Sequence, residues 1–191
     1  MKKSATFDIS QLAAAHERTA FCSVSEPLNR YLRVQVSQDI RRRVATCFVA
    51  LADQQQQHPQ PCIAGYYTLS SASLLLADLP ASIGKKLPRY PTVPTVRMGR
   101  LAVDQAFKGQ GLGGALLADA LTHAASAEIA AYALVVDAKN AAAIAFYQHH
   151  GFIALPDSPH TLFLPLATVV QLFQNSPPLL KPAPSPAAKS H

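Results

Sequence analysis

Cysteine is scarce in this chain: Cys22, Cys47 and Cys62 are the only three, and no pair has CxxC spacing. An odd, scattered set disfavours a disulfide framework or a cysteine zinc site and fits a reducing cytoplasm, with the thiols acting as small buried hydrophobes. No run of eighteen apolar residues occurs, which argues against a membrane-spanning helix. Lys2 and Lys3 lead into "SATFDIS" rather than an apolar stretch, so no signal peptide is read there. Charge is sparse, at 15% of 191 residues, and about half the chain is apolar, enough for one domain with a sizeable core. Arginine is absent beyond Arg100. Residues 1–100 hold 13 Lys/Arg against 6 Asp/Glu, whereas residues 101–191 hold 4 against 5, so the net +6 belongs to the first half. That asymmetry suggests a positive face for an anionic partner, with a merely solubilising surface as the alternative.

"SEPLNRYLRVQVSQDIRRR" (25–43) predicts a helix, with Ser25 as cap, Pro27 in the first turn, and Leu28, Leu32, Val36 and Ile40 on one face. "VATCFVAL" (44–51) and a segment starting at Cys62 read as antiparallel strands joined by the polar turn 53–61. The proline-rich stretch 79–94 predicts a loop with one short helix between Pro80 and Pro88. Residues 95–103 predict a strand, 112–127 an alanine-rich helix, 131–136 a buried strand, and 140–150 a helix stopped by Gly151. "FIAL" and "HTLFLPL" supply the last strands. From Asn175 onward five prolines without periodicity predict a disordered tail, leaving residues 1–174 as the folded domain. The order implies an α/β (mixed α+β) fold: a mixed sheet with helices on its faces.

"KGQGLGGALL" (108–117) is a glycine turn entering a helix, and three phosphate-binding templates compete for it. A Walker loop is excluded, because no Lys-Ser/Thr follows the last glycine. Gly109, Gly111 and Gly114 fit G-x-G-x-x-G, with Asp137 at the end of the next strand. Against that fingerprint, five residues (104–108) separate strand from glycine, and antiparallel strands come first. The third template, Q/R-x-x-G-x-G/A, reads Lys108-Gly109-Gln110-Gly111-Leu112-Gly113. Its consecutive amides at a helix N-terminus would cradle a diphosphate. Lysine at its first position brings charge without arginine's fork.

With "NAAAIAFYQHHGF" (140–152) downstream, carrying Asn140, Ala143 and the Phe146-Tyr147 pair, the chain resembles GNAT-type acyl-CoA N-acetyltransferases over roughly residues 44–167. "PLNRYL", "GYYTLS", "LPRYPTVP", "MGRLAVDQAFKGQGLGGALLADAL", "ALVVDAKN" and "LFLPLATV" further resemble the TacT-type toxins of bacterial toxin–antitoxin modules. The resemblance implies the GNAT fold, a twisted mixed sheet with helices on both faces, and acetyl-CoA as co-substrate. It implies that pantetheine lies along Leu101, Ala102 and Val103, and the diphosphate on amides from Gly109 through Gln110, Gly111, Leu112 and Gly113 to Gly114, with Lys108 attracting it by charge. Asn140, with Ala143 and Phe146 of the same signature, would hold the cofactor, and Tyr147 would be the general acid. For Tyr147 a ring in the core with its hydroxyl at the rim is the alternative. The resemblance also implies an aminoacyl-tRNA substrate, a ribbon-helix-helix antitoxin whose complex binds operator DNA, and a homodimer.

No Asp, Glu or His lies in 95–103, and Asp104 falls just outside, so no base is evident. An α-amine near pKa 8 needs one less than a lysine near 10.4 does, which leans towards charged tRNA. Arg30, Arg33, Lys85, Lys86 and Arg89 are candidates for its phosphates. Adjacent His149 and His150 cannot share a helix face as metal ligands would; they suit a helix C-terminus, and no metal is expected. An acetyltransferase for small amines or protein N-termini, and a non-catalytic CoA-binding regulator, remain open.

Overall fold

A computed structural model of the protein describes residues 7–52 and 62–175. Seven strands form one sheet in the order β1-β2-β3-β4-β5-β7-β6. They are β1 (Phe7–Gln11), β2 (Thr46–Ala52), β3 (Cys62–Leu75), β4 (Thr92–Val103), β5 (Ala133–Asp137), β6 (Ile153–Leu155) and β7 (Ser158–Pro165). Only β4 and β5 pair in parallel, and their connection carries a helix, as parallel neighbours require.

On one face of the sheet lie three successive helical pieces: α1 (Glu26–Arg30), a π-helical turn (Tyr31–Gln35) and α2 (Val36–Arg41). The expected stripe seats them. Leu32 and Val36 are fully buried against Cys47, Val49, Ile63 and Tyr66, each worth about 1.5–3 kcal/mol. Ser25 does not cap with its side chain. Its hydroxyl makes no cap bond, while its carbonyl accepts from Leu28 and Asn29, and the Asn29 carboxamide ties back to Ser23. The same sheet face is covered further along by α3 (Ala81–Gly84), the short helix expected in the proline-rich loop, over Leu74, Val93, Val135 and Phe163.

The opposite face carries α4 (Leu112–Ser126), α5 (Ala141–His149) and α6 (Leu166–Asn175). Leu112, Leu116, Leu117, Ala120 and Ala124 form the buried stripe of α4. Helix and sheet approach closely at Gly65 of β3, where a Cβ would stand 2.8 Å from Leu116 Cδ1 and 3.0 Å from the Ala102 carbonyl oxygen. Two elements were not expected. β1 is a five-residue edge strand, and α6 is helical despite Thr168, Val169 and Val170, because Leu166 and Val169 bury against the α4 side of the core. β4 starts three residues early and runs through Pro94, which is tolerated because β5 begins opposite Thr95. The expected turn at 53–61 and the tail beyond Asn175 lie outside the described residues.

Candidate active site

The site is organised by a break in β4. Thr68 of β3 faces Arg100 while Leu69 faces Met98, so Gly99 is an extra, unpaired residue, a β-bulge. On its other edge β4 pairs with β5 only from Thr95 to Met98, opposite Ala133 to Val136. Beyond the bulge, Gly99–Val103 keeps β3 on one side and leaves the β5 side open, a fork with unpaired main-chain groups. Arg97 and Asp137 form an ion pair beside the point of divergence, and Thr161 donates to the same carboxylate at 2.9 Å. Asp137, the strand-end acid set beside the G-x-G-x-x-G fingerprint in the sequence, is thus engaged by protein groups.

The segment after the fork is fixed by Asp104. Its carboxylate accepts the amides of Ala106 at 2.9 Å and Cys22 at 2.7 Å, so it is committed to the turn rather than placed as a free base. Gly109 and Gly111 follow with φ of +74° and +79°, conformations that disfavour any side chain, and nothing lies within 4 Å of where a Cβ would project. Gly111 is the N-cap of α4, so the first-turn amides of Leu112, Gly113 and Gly114 have no acceptor within the helix. These amides, the positive helix end and exposed Lys108 make an anion cradle. Gln110 steadies it, its side-chain amide donating to the Ala106 carbonyl at 3.4 Å.

Of the two glycines that follow, Gly114 is the tightly packed one. A Cβ on Gly113 would sit 3.8 Å from the Phe146 ring, and one on Gly114 3.3 Å from His150 Nε2. Phe146 therefore seals α5 against the start of α4. Asn140 caps α5: its side-chain oxygen accepts the Ala143 amide at 2.9 Å, which leaves its NH2 as the free end of the carboxamide. His150 stands at the C-terminal end of α5, a ring nitrogen 2.8 Å from the Phe146 carbonyl, as the helix end favours. Tyr147 lies in the core under α4 and α5, 8% exposed, between the rings of Phe146 and Phe152. Burial pushes its hydroxyl up to about 12, so it holds its proton at neutral pH. It has no hydrogen-bond partner among the described residues. Leu101 and Val103 pack on this same face, with Met98 and Val136.

The predicted cations fall on the other face. Arg30 is exposed on α1, and Lys85, Lys86 and Arg89 are exposed on and after α3. Arg33 is already engaged, with Glu26 at 3.2 Å and the Asn29 carbonyl at 3.3 Å. Sequence reasoning passed over Arg100, whose guanidinium lies 3.5 Å over the Tyr31 ring. Ala102 shares a core cluster with Tyr66, and Arg100 is two residues from it, so both belong to this face.

A bulged strand diverging from its parallel neighbour, beside a bare-amide helix start and a buried proton donor, defines a group-transfer site for a diphosphate-bearing ligand. The acetyltransferase (GNAT) family model matches residues 13–152, and the chain belongs to this family. A tRNA-acetylating toxin of Mycobacterium tuberculosis (strain ATCC 25618 / H37Rv) is 33% identical over 156 residues, 81% of this chain and 89% of the toxin. The solved structure of AtaT complexed with acetyl-methionyl-tRNAfMet is 31% identical, with a TM-score of 0.80, covering 88% of this chain and 99% of that one. An AtaT mutant bound to the C-terminus of the antitoxin AtaR and acetyl-CoA is 26% identical, with a TM-score of 0.73, covering 88% and 99%.

Proposed function

We propose that this protein is the toxin of a toxin–antitoxin module, an enzyme that transfers acetyl from acetyl-CoA to the α-amine of aminoacyl-tRNA. A blocked α-amine cannot form a peptide bond, so translation stops. The observation that carries the reading is the fork, which has an anion cradle and Tyr147 on one face and Arg100 with the exposed cations Arg30, Lys85, Lys86 and Arg89 on the other.

Acetyl-CoA supplies a thioester, whose acetyl group passes to the amine as the thiol is released. The amides of Leu112 to Gly114 bind the diphosphate, with Lys108 adding charge, and the open edge of Leu101–Val103 pairs with the pantetheine as an added strand would. The Asn140 NH2 donates to the same arm. A main-chain N–H of Leu101 or Val103 stabilises the developing oxyanion. Tyr147 gives its proton to the departing sulfur. With the Asp104 carboxylate engaged, the amine arrives already deprotonated or yields its proton to water, which an α-amine near pKa 8 allows.

Arg30, Lys85, Lys86 and Arg89 hold acceptor-stem phosphates. Arg33 contributes only if it leaves Glu26. The module works as a homodimer in the cytoplasm and is silenced by a ribbon-helix-helix antitoxin whose complex binds operator DNA. Light scattering of the purified toxin checks the dimer.

The direct test incubates the protein with labelled acetyl-CoA and bulk aminoacyl-tRNA. Label is expected as N-acetyl-aminoacyl ester on the charged fraction. Label only on free amines or peptide N-termini would replace the substrate, and acetyl-CoA binding without turnover would reduce the protein to a regulator.

A further inference from the structure

The amine has to reach the fork from the arginine-bearing face, and a cavity of about 770 Å³ opens there between the π-helical turn and β4. Its lining includes Glu26, Arg30, Tyr31, Gln35, Gln38 and Arg100. We propose that this cavity seats the unpaired 3′-terminal nucleotide of the acceptor strand, its base stacked on the Arg100 guanidinium. The assignment rests on the reading of the acceptor as aminoacyl-tRNA.

The platform is layered and fixed. Tyr66 and Tyr31 stack with centroids 6.5 Å apart and 17° between planes, and Arg100 lies 3.5 Å over Tyr31. The Tyr66 hydroxyl donates to the Leu28 carbonyl at 2.8 Å and the Tyr31 hydroxyl to Asp39 at 2.9 Å, so neither ring is free to turn. One face of the guanidinium is thus taken by Tyr31, and Arg100 also lines the cavity, which leaves its second face for a base. Splayed-out bases are held by stacking of this kind, on aromatic rings or on arginine planes. Arg30 adds a cation for the nucleotide's phosphate, and Gln35 and Gln38 carry amide donors and acceptors suited to a base edge. The volume lies within the range of about 300–1,000 Å³ common to small-ligand sites.

Placement ties the cavity to the chemistry. Arg100 directly follows the bulge residue Gly99 and precedes Leu101, within the stretch of β4 that has left β5. A nucleotide stacked there would bring its attached aminoacyl group to the fork. The π-helical turn supplies Tyr31 and Gln35 to the lining, and such turns recur at functional sites. A peptide acceptor would have little use for a planar cation backed by two rings.

The test needs neither acetyl-CoA nor charged tRNA. An uncharged RNA hairpin ending in CCA carries 2-aminopurine in place of the terminal adenine, and its fluorescence is quenched when that base stacks. Quenching is expected with the wild-type protein. A hairpin lacking the terminal nucleotide should bind the wild type about tenfold more weakly, at the low end of the range for one stacked base. Arg100→Lys keeps the charge without the plane. It should abolish the quenching and raise the aminoacyl-tRNA KM about tenfold. Undiminished quenching in Arg100→Lys, no quenching in the wild type, or equal affinity of the two hairpins would each overturn the proposal. Acetyl transfer to charged tRNA without quenching would sink this inference alone, whereas quenching without transfer would sink the acetylation reading and leave the cavity assignment standing.

Discussion

On the α4 side of β4 the recognition surface is made of main chain: open strand edge, first-turn amides and two left-handed glycines. On the α1 side it is made of side chains, with Arg30 and Arg100 beside Tyr31 and two glutamines. On the proposed reading the first surface recognises a chemically constant ligand, for which backbone geometry is enough. The second suits a large polyanion, which needs long-reaching charge. On that reading both ligands reach the same strand at the fork, where β4 leaves β5.

The contrast is most sharply tested at Tyr147. Tyr147→Phe keeps the ring packed between Phe146 and Phe152 and removes only the proton. It should lower kcat by about 10²-fold or more, with acetyl-CoA affinity by calorimetry within about two-fold. The wild-type rate should rise with pH through the amine's pKa near 8 and not turn down before about pH 11, since Tyr147 stays protonated below about 12. An alkaline limb near pH 9 would move the acid elsewhere.

Salt separates the faces next. Three phosphate contacts would weaken tRNA binding roughly thirty-fold between 50 and 200 mM salt. Acetyl-CoA, held chiefly by amides, should lose only about two-fold; equal slopes would erase the comparison. Smaller still is the backbone effect within the cradle. Gly111→Ala forces a side chain into left-handed space and should cost about 1 kcal/mol by urea unfolding. Gly113→Ala meets only ordinary contacts and should not lower stability. Least of all, Lys108→Gln should raise the acetyl-CoA KM about two- to three-fold, as befits an exposed charge.

The cradle could be read directly because it is contiguous: turn, helix start and cap lie within one short stretch, and each residue's duty is local. The α1 face is not contiguous. Its cavity joins residues near position 30 to residue 100, and strand alternation alone would put Arg97 and Arg100 on opposite faces. The bulge at Gly99 restores them to one face, and a lone glycine in a strand does not announce which of its possible uses applies. The π-helical turn was equally silent, since the 28–32–36–40 stripe looks the same with or without it. α6 was missed because Thr168, Val169 and Val170 favour strand locally and are overruled by packing under α4.

Gly65 lies outside the proposed ligand contacts, yet it sets a clearance. A β-carbon there would stand 2.8 Å from Leu116 Cδ1 and 3.3 Å from Leu112 Cδ2, so the α4 side chains pack directly onto this glycine. The amides that begin α4 are carried by that same rigid rod. A single methyl at 65 would act as a shim under it, lifting the cradle relative to the strand edge while leaving every group that touches a ligand in place. On the proposed reading, the alignment between where the cofactor is gripped and where it reacts would thus depend on a hydrogen atom two strands away from β5.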